Sequence, residues 1–374
     1  MTPEDLRATM PACESVAYLN SGAGSPTPRP VVEAVQAAVA HQGIEAPAGE
    51  GQYPAAMTRY EDARESLAGF LGVSPAEIAL TQSTTDGINR VATAVPWTRG
   101  DDTVVRTDLE HSSGVLPWRR LADTRGLDVR VVDTDRGRLD PAAFGDAVRE
   151  SGASLAVLSA VDWGYGRRLP VAEAVAAAQD AGARVLVDAV QATGQFPLAV
   201  DEWGAAFVAT AGHKWLLGPW GAGALYVDRD ALDWLEPERV GYRSVVDPNA
   251  ANYQFHDGAR RLEVGTVDPA PHVGLAEALD LLEDVGLDTV TSRVERLTDR
   301  LKAGLPEGTL AGPREYQSGL VSFRTDDPDG LVERLDEAGV VVRKIPATGT
   351  VRASVHVFNT ADDVDRLLDV VAMA

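Results

Sequence analysis

Cysteine is almost absent from this sequence of 374 residues, in which Cys13 is the only one. A single cysteine excludes an intramolecular disulfide and a zinc site built from clustered cysteines. The chain also lacks any run of about 18 apolar residues, so we expect no transmembrane helix. Its first residues, M-T-P-E-D-L-R-A-T-M, are acidic and have no apolar core of the kind that a secretion signal needs. These absences favour a cytoplasmic protein.

Lysine is nearly as scarce as cysteine. Of the 34 basic residues, 31 are arginines, and the only lysines are Lys214, Lys302 and Lys344. Acidic residues outnumber basic ones, which gives a formal net charge of -22. We expect neither nucleic acid nor an anionic membrane as a partner, because both would be repelled. Many acidic residues with few lysines also suggest a halophilic source, since an acidic surface stays hydrated in concentrated salt.

Two short apolar runs, residues 185–187 and 205–209, each precede a pair of polar residues. Asp188 and Gln191 follow the first run, and His213 and Lys214 follow the second. We predict both runs to be buried strands. Ligands bind outside the carboxyl ends of the strands in an open α/β sheet, so these four side chains are expected to share one site.

Lys214 is the most informative of the four, because this chain otherwise uses arginine for positive charge. Arginine cannot form an imine, whereas a partly desolvated lysine has a lowered pKa and can attack an aldehyde cofactor as a Schiff-base nucleophile. An aspartate paired with a pyridinium nitrogen would complete the electron sink of pyridoxal phosphate. Taken singly, Asp188 could be a helix cap and Lys214 a surface residue, but the whole string favours the cofactor.

The strings V-D-A-V-Q-A and A-G-H-K-W-L-L-G-P-W-G-A-G-A-L-Y-V resemble the core signature of the class V aminotransferases, in the branch of cysteine desulfurases, selenocysteine lyases and isopenicillin N epimerase-like proteins. The resemblance implies a fold-type I pyridoxal-phosphate enzyme. Its α/β fold has a large domain with a mostly parallel seven-stranded sheet and a small C-terminal α/β domain. Lys214 would carry the Schiff base, Asp188 would pair with the ring nitrogen, Gln191 would contact the ring hydroxyl and His213 would help hold the phosphate.

Three further motifs resemble the same family. Thr84 and Thr85, in S-T-T-D-G-I-N, match its phosphate-binding helix start, although an ordinary helix cap explains them locally. His111, in E-H-S-S-G-V-L-P-W, takes the position that stacks on the ring and belongs to the catalytic set. In R-L-E-V-G-T, Gly265 and Thr266 match residues that reach the phosphate of the neighbouring subunit, which implies a homodimer with active sites at the interface.

The resemblance also assigns substrate contacts. The stretch Y-L-N-S-G-A-G-S is similar to the entry loop of the family, which places Asn20 and Gly22 near the substrate. Trp163 falls where desulfurases carry an asparagine close to the cofactor, and a shift of one residue would put Asp162 there instead. This departure favours the lyase and epimerase-like members over the desulfurases.

The loop that carries the sulfur-accepting cysteine in desulfurases has no cysteine here. It reads V-V-R-K-I-P-A-T-G-T-V-R-A-S, and since no other side chain can hold sulfane sulfur, a persulfide-forming desulfurase is disfavoured. By resemblance, Arg343 is a substrate-side arginine and Arg352 grips the α-carboxylate of the substrate. For each arginine, an ion pair between domains or on the surface is the alternative.

Strands and helices alternate along the chain, which predicts a mostly parallel sheet covered on both faces. We expect an N-terminal segment (1–25) that packs with the small domain, a large cofactor-binding domain (26–250) and a small domain (251–374). Predicted strands span 78–81, 103–106, 129–132, 155–159, 185–187, 205–209, 222–227, 320–323, 340–343 and 352–357. Predicted helices span 31–41, 57–71, 114–123, 141–150, 171–181, 328–338 and 361–374, with one starting near 85 and helical periodicity from about 273 to 305.

The sequence therefore predicts a pyridoxal-phosphate enzyme that acts on an amino acid by transamination or by β-elimination of a sulfur- or selenium-bearing group. Epimerisation also stays open, because the selectivity lies in loops. The alternatives are a cysteine desulfurase-like protein and a non-catalytic protein that has kept the cofactor-binding fold. Loss of Lys214 would have supported the non-catalytic alternative, yet Lys214 is present.

The excess of carboxylates predicts that the stability of the fold depends on salt. Repulsion among like charges destabilises the compact chain in dilute buffer, and at about 1 M salt the screening length falls to about 3 Å. We expect the thermal unfolding midpoint, followed by circular dichroism, to rise with KCl concentration. A midpoint that stays flat from dilute buffer to molar salt would contradict the halophilic interpretation.

Overall fold

The computed structural model describes residues 1–98, 100 and 102–373. Its strands are β1 (Ala17–Tyr18), β2 (Ile78–Thr81), β3 (Thr103–Thr107), β4 (Asp128–Val132), β5 (Leu155–Ser159), β6 (Arg184–Asp188), β7 (Phe207–Ala211), β8 (Gly223–Val227), β9 (Leu320–Phe323), β10 (Val340–Val341), β11 (Arg343–Ile345) and β12 (Thr350–Ser354). Its α-helices are α1 (Pro3–Ala8), α2 (Ala12–Ser15), α3 (Arg29–Ala40), α4 (Gln52–Leu71), α5 (Thr84–Ala94), α6 (Leu116–Arg125), α7 (Pro141–Ser151), α8 (Val171–Asp180), α9 (Arg229–Leu232), α10 (Ala270–Val285), α11 (Leu287–Gly304), α12 (Pro328–Glu337) and α13 (Ala361–Ala372).

A seven-stranded sheet forms the centre, in the order β2-β8-β7-β6-β5-β3-β4. Strands β3 to β7 pair in parallel, and β8 runs antiparallel to both of its neighbours, β7 and β2. The prediction of a mostly parallel sheet of seven strands is confirmed. In its register, Ser159 of β5 lies beside Asp188 of β6, which lies beside Ala209 of β7. Residues that follow these strands therefore emerge close together at one edge.

Both faces of the sheet are buried. Alternate residues of one strand belong to different hydrophobic clusters: Ala156 and Leu158 of β5 lie in one, and Leu155 and Val157 lie in the other. This division follows from the two-residue repeat of a strand, in which successive side chains point to opposite faces. It explains why the strands read as continuous apolar runs rather than as alternating polar and apolar residues.

Helical periodicity after residue 273 predicts one long helix, and the structure corrects this to two. Helix α10 ends at Val285 and α11 begins at Leu287. Gly286 between them has a φ of 82°, a conformation that glycine adopts at little cost. Helix α10 packs against α3 and α4, so this part of the chain continues the core of the large sheet domain.

The C-terminal unit contains a three-stranded antiparallel sheet in the order β11-β12-β9. The predicted strand 340–343 is divided in the structure, because the chain changes partner at Val342: β10 pairs with β1 and β11 pairs with β12. The N-terminal segment joins this unit through the β1–β10 pair and an ion pair between Arg7 and Asp363 at 2.8 Å.

Several predicted ends also differ from the structure. The strand predicted at 352–357 is β12, which spans Thr350–Ser354, and the helices predicted at 57–71 and 114–123 are α4 (Gln52–Leu71) and α6 (Leu116–Arg125). The strand predicted at 205–209 is β7, which begins at Phe207 and reaches Ala211. The last helix ends at Ala372, and Ala374, where the prediction placed its end, lies outside the described residues. Within the described part of the chain, no helix is both long and apolar enough to cross a bilayer.

A buried acid, Glu263, connects helix α4 with strand β2 at one end of the central sheet. The Glu263 carboxylate accepts hydrogen bonds from Arg64 at 2.7 Å, from the backbone N–H of Leu80 at 2.9 Å and from Arg243. The two guanidinium groups lower the pKa of Glu263 against the effect of burial. This network fixes the end of β2, the strand from which the chain enters helix α5.

Candidate active site

A cavity of about 450 Å³ lies beyond the carboxyl ends of the central strands. Its lining combines polar side chains from the large domain with two arginines from the C-terminal unit. The lining residues are Gly22, Ala23, Gln82, Ser83, Thr84, Thr85, His111, Ser113, Trp163, Asp188, Val190, Gln191, His213, Lys214, Trp220, Gly221, Arg343 and Arg352.

Lys214 enters the cavity from the loop that follows β7. Its side chain is accessible from the cavity, while surrounding protein atoms lower the pKa of the amine to about 8 through burial. The Asp188 charge opposes this decrease, and the charges of Arg352 and Arg343 add to it. The loop closes through a bond of 3.2 Å from the Leu217 N–H to the Lys214 carbonyl, with Leu217 in a left-handed conformation. The turn thus fixes the backbone at Lys214, and the amine is partly neutral.

Asp188 is the last residue of β6 and lies in the cavity lining. One of its carboxylate oxygens accepts a hydrogen bond of 3.0 Å from the Val190 N–H. Burial raises the pKa of Asp188, and the bond to Val190 and the charge of Lys214 act in the opposite direction. The other oxygen has no protein donor among the described residues, which leaves it available to a ligand N–H.

Gln191 connects three parts of the site. Its Nε2 donates to the Gly22 carbonyl at 2.9 Å, and its Oε1 accepts from the Trp215 indole at 2.7 Å. One amide hydrogen stays available for a ligand. A glycine is required at Gly22, because a Cβ there would lie 2.7 Å from Nη2 of Arg352. Gln191 therefore holds the entry loop close to the residue that follows Lys214.

His111 is positioned by the turn that it caps. Its Nδ1 accepts from the Ser113 N–H at 3.3 Å, which places the ring hydrogen on Nε2. Burial, together with the charge of Lys214, lowers the pKa of His111 to about 4, so the ring is neutral near pH 7. The Trp163 ring meets it edge to face, with centroids 5.2 Å apart.

Glu110 holds the loop of His111 against the next strand of the sheet. Its carboxylate accepts from the Ser159 N–H at 3.0 Å, the Ser159 hydroxyl at 2.8 Å and the Thr107 hydroxyl at 2.7 Å. Burial raises the pKa of Glu110 to about 7. These bonds join the ends of β3 and β5, and so fix the position of His111 relative to Asp188.

The start of helix α5 forms another wall of the cavity. Ser83 caps it by accepting from the Asp86 N–H at 3.1 Å, Thr85 bonds to Ser113 at 2.7 Å, and the buried hydroxyl of Thr84 has no partner among the described residues. Free N–H groups at a helix start bind phosphate groups. The nearby His213 ring stacks on Trp220 with centroids 4.1 Å apart.

Arg352 and Arg343 approach the cavity from the C-terminal unit. Arg352 is 1% exposed, and its Nη1 donates to the Trp163 carbonyl at 2.7 Å. Its Nε and Nη2 are buried without a partner among the described residues. Burial and the charge of Arg343 lower the pKa of Arg352 to about 9. A buried guanidinium with free donors can bind a carboxylate through two parallel hydrogen bonds.

Most of the predicted site residues lie in this lining, and three do not. Asn20 lies beside the cavity, where it bridges to Ser354 and its Oδ1 is buried without a partner among the described residues. Gly265 and Thr266 lie outside the lining, and Thr266 bonds to Tyr242. Asp162, considered only as an alternative to Trp163, also lies outside the lining, and its carboxylate accepts from the N–H groups of Gly164 and Tyr165, each at 2.8 Å.

Sequence reasoning missed Gln82, Ser83, Ser113 and Trp220 in the lining. Ser83 had a usable signal, since serine is a preferred helix cap and it directly precedes Thr84. Ser113 belongs to the E-H-S-S string but carries no signal of its own. Trp220 is 71% exposed, and nothing in the local pattern indicates that it stacks on His213.

The residues present fit pyridoxal phosphate. The structure offers a partly neutral lysine amine, a buried carboxylate with one free oxygen, and an unpartnered threonine hydroxyl at a helix start. An aldehyde needs the amine as a nucleophile, a pyridinium N–H needs the carboxylate as an acceptor, and a phosphate needs the hydroxyl and the backbone N–H groups as donors. Fold and site together define a pyridoxal-phosphate-dependent enzyme.

The chain belongs to the class V aminotransferase family, which it matches over residues 17–367. A relative from Methanothermobacter thermautotrophicus, described as a probable cysteine desulfurase, is 35% identical over 98% of this chain and 96% of its own length. The apo structure of a cysteine desulfurase from Thermococcus onnurineus superimposes with a TM-score of 0.89 at 31% identity, covering 99% of this chain and 97% of that one.

A second solved structure is that of the cystine C-S lyase C-DES in complex with its product, cysteine persulfide. It superimposes with a TM-score of 0.91 at 27% identity, covering 97% of this chain and 99% of that one. A structure of a C-DES variant with the same fold contains glycine covalently linked to the pyridoxal-phosphate cofactor. The expected fold class, family and cofactor are therefore confirmed.

The environment of Lys214 predicts that it alone attaches the cofactor. We expect the purified protein to be yellow, and Lys214→Ala to lose covalently bound pyridoxal phosphate, measured by visible absorbance and by mass spectrometry after borohydride reduction. Lys344→Ala is the matched control, because Lys344 pairs with Asp329 on the exterior and lies outside the cavity. Colour that persists in Lys214→Ala, or a wild type that cannot be reconstituted, would contradict the assignment.

Proposed function

We propose that this protein is a carbon–sulfur lyase that removes a sulfur-bearing group from a cysteine-derived amino acid and releases the sulfur product into solution. The observation that carries the proposal is a cavity equipped for the cofactor and for an α-carboxylate, with no cysteine in its lining. Both a lyase and a desulfurase break the bond between Cβ and sulfur. They differ in whether an enzyme cysteine accepts the sulfur.

Cys13 is badly placed for that role. It lies in helix α2, is 4% exposed and is absent from the cavity lining. Burial raises the pKa of its thiol to about 11, whereas sulfur transfer needs a thiolate. The hairpin between β11 and β12 spans only residues 346–349, so it is too short to carry a separate catalytic loop.

In the proposed lyase reaction, Arg352, Lys214 and Asp188 each have a separate role. Arg352 would hold the α-carboxylate and so fix the orientation of the substrate's Cα bonds. Lys214 takes the proton from Cα, and Asp188 keeps the ring nitrogen protonated. The cofactor supplies an electron sink. The bond between Cβ and sulfur breaks with its electron pair on sulfur, and addition of water yields pyruvate and ammonium beside the released thiol or persulfide.

The relatives support the class of substrate. Several are described as cysteine desulfurases, and the cystine lyase has a cysteine persulfide as its product. A cysteine persulfide that is the product of a lyase requires no cysteine of the enzyme to accept the sulfur. A chain without a cysteine in its cavity is better suited to releasing the persulfide than to transferring the sulfur to one of its own cysteines.

We also propose that the enzyme is a cytoplasmic homodimer in which Gly265 and Thr266 reach the phosphate site of the neighbouring subunit. Thr266 is exposed and bonds to Tyr242, whose ring meets that of Tyr53 edge to face at 6.5 Å. Tyr53 is 64% exposed and Tyr242 is 40% exposed, so the two contacting rings form one continuous exposed apolar surface. A subunit interface would cover this surface.

The decisive experiment measures where the sulfur goes. We expect the wild type to form pyruvate from cystine and to release persulfide into solution, trapped there by an alkylating agent. Cys13→Ala should retain the same rate within about twofold, because it touches nothing in the cavity. Sulfur bound to Cys13 during turnover, seen by intact-mass spectrometry, would show a desulfurase mechanism. Keto acid formed only with an amino acceptor would show a transaminase.

A further inference from the structure

We propose that His356 is a positioning residue, which holds the Lys214 loop at a fixed distance from Arg352 through one hydrogen bond. The bond runs from the His356 imidazole to the backbone carbonyl of Trp215, the residue after Lys214. The inference rests on the proposed function, since it takes Lys214 as the group that moves the Cα proton and Arg352 as the group that holds the substrate. His356 itself lies outside the cavity lining.

The two ring nitrogens of His356 have separate partners. Nδ1 accepts a hydrogen bond of 2.6 Å from the Val357 N–H, so the ring hydrogen is on Nε2. Nε2 lies 3.0 Å from the Trp215 carbonyl oxygen and donates to it. The side chain is completely buried, and burial lowers its pKa to about 4, so the ring is neutral near pH 7. The imidazole is therefore a fixed, uncharged donor with one acceptor.

The Trp215 carbonyl that accepts this bond is closely enclosed. A Cβ at Gly194 would lie 2.4 Å from the carbonyl oxygen, and a Cβ at Gly319 would lie 2.8 Å from the Trp215 ring. Among the described residues, His356 is the donor to this oxygen. Without the imidazole the carbonyl would be buried and unpaired, which is costly. The peptide that follows Lys214 would then shift to regain a partner.

His356 and Arg352 belong to one continuous stretch of the C-terminal unit. Arg352 lies in β12, and His356 follows shortly after the end of that strand. The His356 N–H donates to the Asn359 side chain at 2.8 Å, and its ring stacks on that of Phe358 with centroids 5.3 Å apart. Both the backbone and the ring of His356 are thus fixed. Its bond to the large domain connects the stretch that carries Arg352 with the Lys214 loop.

The two parts that this bond connects carry like charges. The charged groups that act on the Lys214 amine are Asp188, Arg352 and Arg343. Asp188 raises the pKa of the amine, and the two arginines lower it. The imidazoles of His111 and His213 are neutral near pH 7, because burial lowers the pKa of each to about 4. Repulsion therefore favours separation of the Lys214 loop from the arginines, and a neutral buried donor opposes that separation without adding charge.

The test replaces His356 by three side chains that differ in where they place a donor. Glutamine can bring an amide N–H near the position of Nε2, asparagine is too short to do so, and phenylalanine fills the space without a donor. We expect His356→Phe and His356→Asn to bind the cofactor at the wild-type stoichiometry but to lower kcat for pyruvate formation from cystine about tenfold, with KM changed by less than about twofold. His356→Gln should restore kcat to within about threefold of the wild type.

A pH titration distinguishes positioning from a purely structural role. In the holoenzyme, the pH midpoint of the visible absorption band reports the pKa of the Lys214 nitrogen joined to the cofactor. We expect this midpoint to rise by about half a unit in His356→Phe and His356→Asn, because the nitrogen moves away from the two arginines, and to stay at the wild-type value in His356→Gln.

The matched control is His272→Phe. His272 is also buried, and its Nε2 lies 3.0 Å from the Thr81 carbonyl. This variant should lower the thermal unfolding midpoint, as the loss of any buried donor does, without moving the midpoint of the absorption band. If His356→Phe does not fold, the comparison of His356→Asn with His356→Gln decides the question.

Hydrogen exchange at Cα of L-alanine in D2O, followed by NMR, separates this inference from the proposed function. The exchange needs Lys214 and Arg352 but breaks no bond to sulfur, and we expect it to fall about tenfold in His356→Asn and to recover in His356→Gln. If cystine gave no pyruvate, the lyase proposal would fail, yet the exchange and the titration would still decide the role of His356. Wild-type exchange and titration in His356→Asn, or a His356→Gln variant no better than His356→Asn, would overturn the inference.

Discussion

The cost of burying charge at the carboxyl edge of the sheet is the constraint on which the site depends. Burial lowers the pKa of Lys214 to about 8 and raises the pKa of Asp188, so each group is driven toward its neutral form. Their mutual attraction opposes both shifts. An amine that is easily deprotonated can form an imine and move a proton, and a carboxylate with one free oxygen attracts a protonated ring nitrogen. The same burial thus prepares both groups for the cofactor.

The register of the sheet and a few buried hydrogen bonds fix the relative positions of the side chains in the site. Asp188 ends β6, Lys214 follows β7, and Glu110 bonds to Ser159 at the end of β5. Gln191 then bonds the entry loop at Gly22 to the Trp215 side chain beside Lys214. Each of these groups sits on a strand end or next to one, which is where an open α/β sheet binds ligands.

Local patterns were sufficient to predict much of the fold. The strands predicted at 78–81, 155–159 and 320–323 coincide with β2, β5 and β9, because apolar runs of four or five residues between turn residues are typical of buried strands. Local patterns failed where the answer depends on distant partners. The apolar period runs through Gly286 although the helix stops there, and the change of partner at Val342 depends on β1, more than 300 residues earlier.

In the candidate site, too, local patterns predicted some residues and missed those whose position depends on distant contacts. The residues in recognisable strings, such as Asp188 and Lys214, lie in the cavity lining. Asn20 does not, because the path of the entry loop is fixed by long-range bonds to the C-terminal unit. The support from Glu110 and Glu263 was not predicted, since a buried carboxylate looks like a surface one until its donors are known. Physical contacts across the fold, rather than local spacing, determine these parts.

The most direct test of the account is Asp188→Asn. Asparagine keeps the size of the side chain and can still accept from the Val190 N–H, but it cannot hold the ring nitrogen protonated. We predict an unchanged stoichiometry of bound pyridoxal phosphate, with a rate of pyruvate formation from cystine lowered on the order of a hundredfold or more. A variant that binds the cofactor and keeps the wild-type rate would contradict the account.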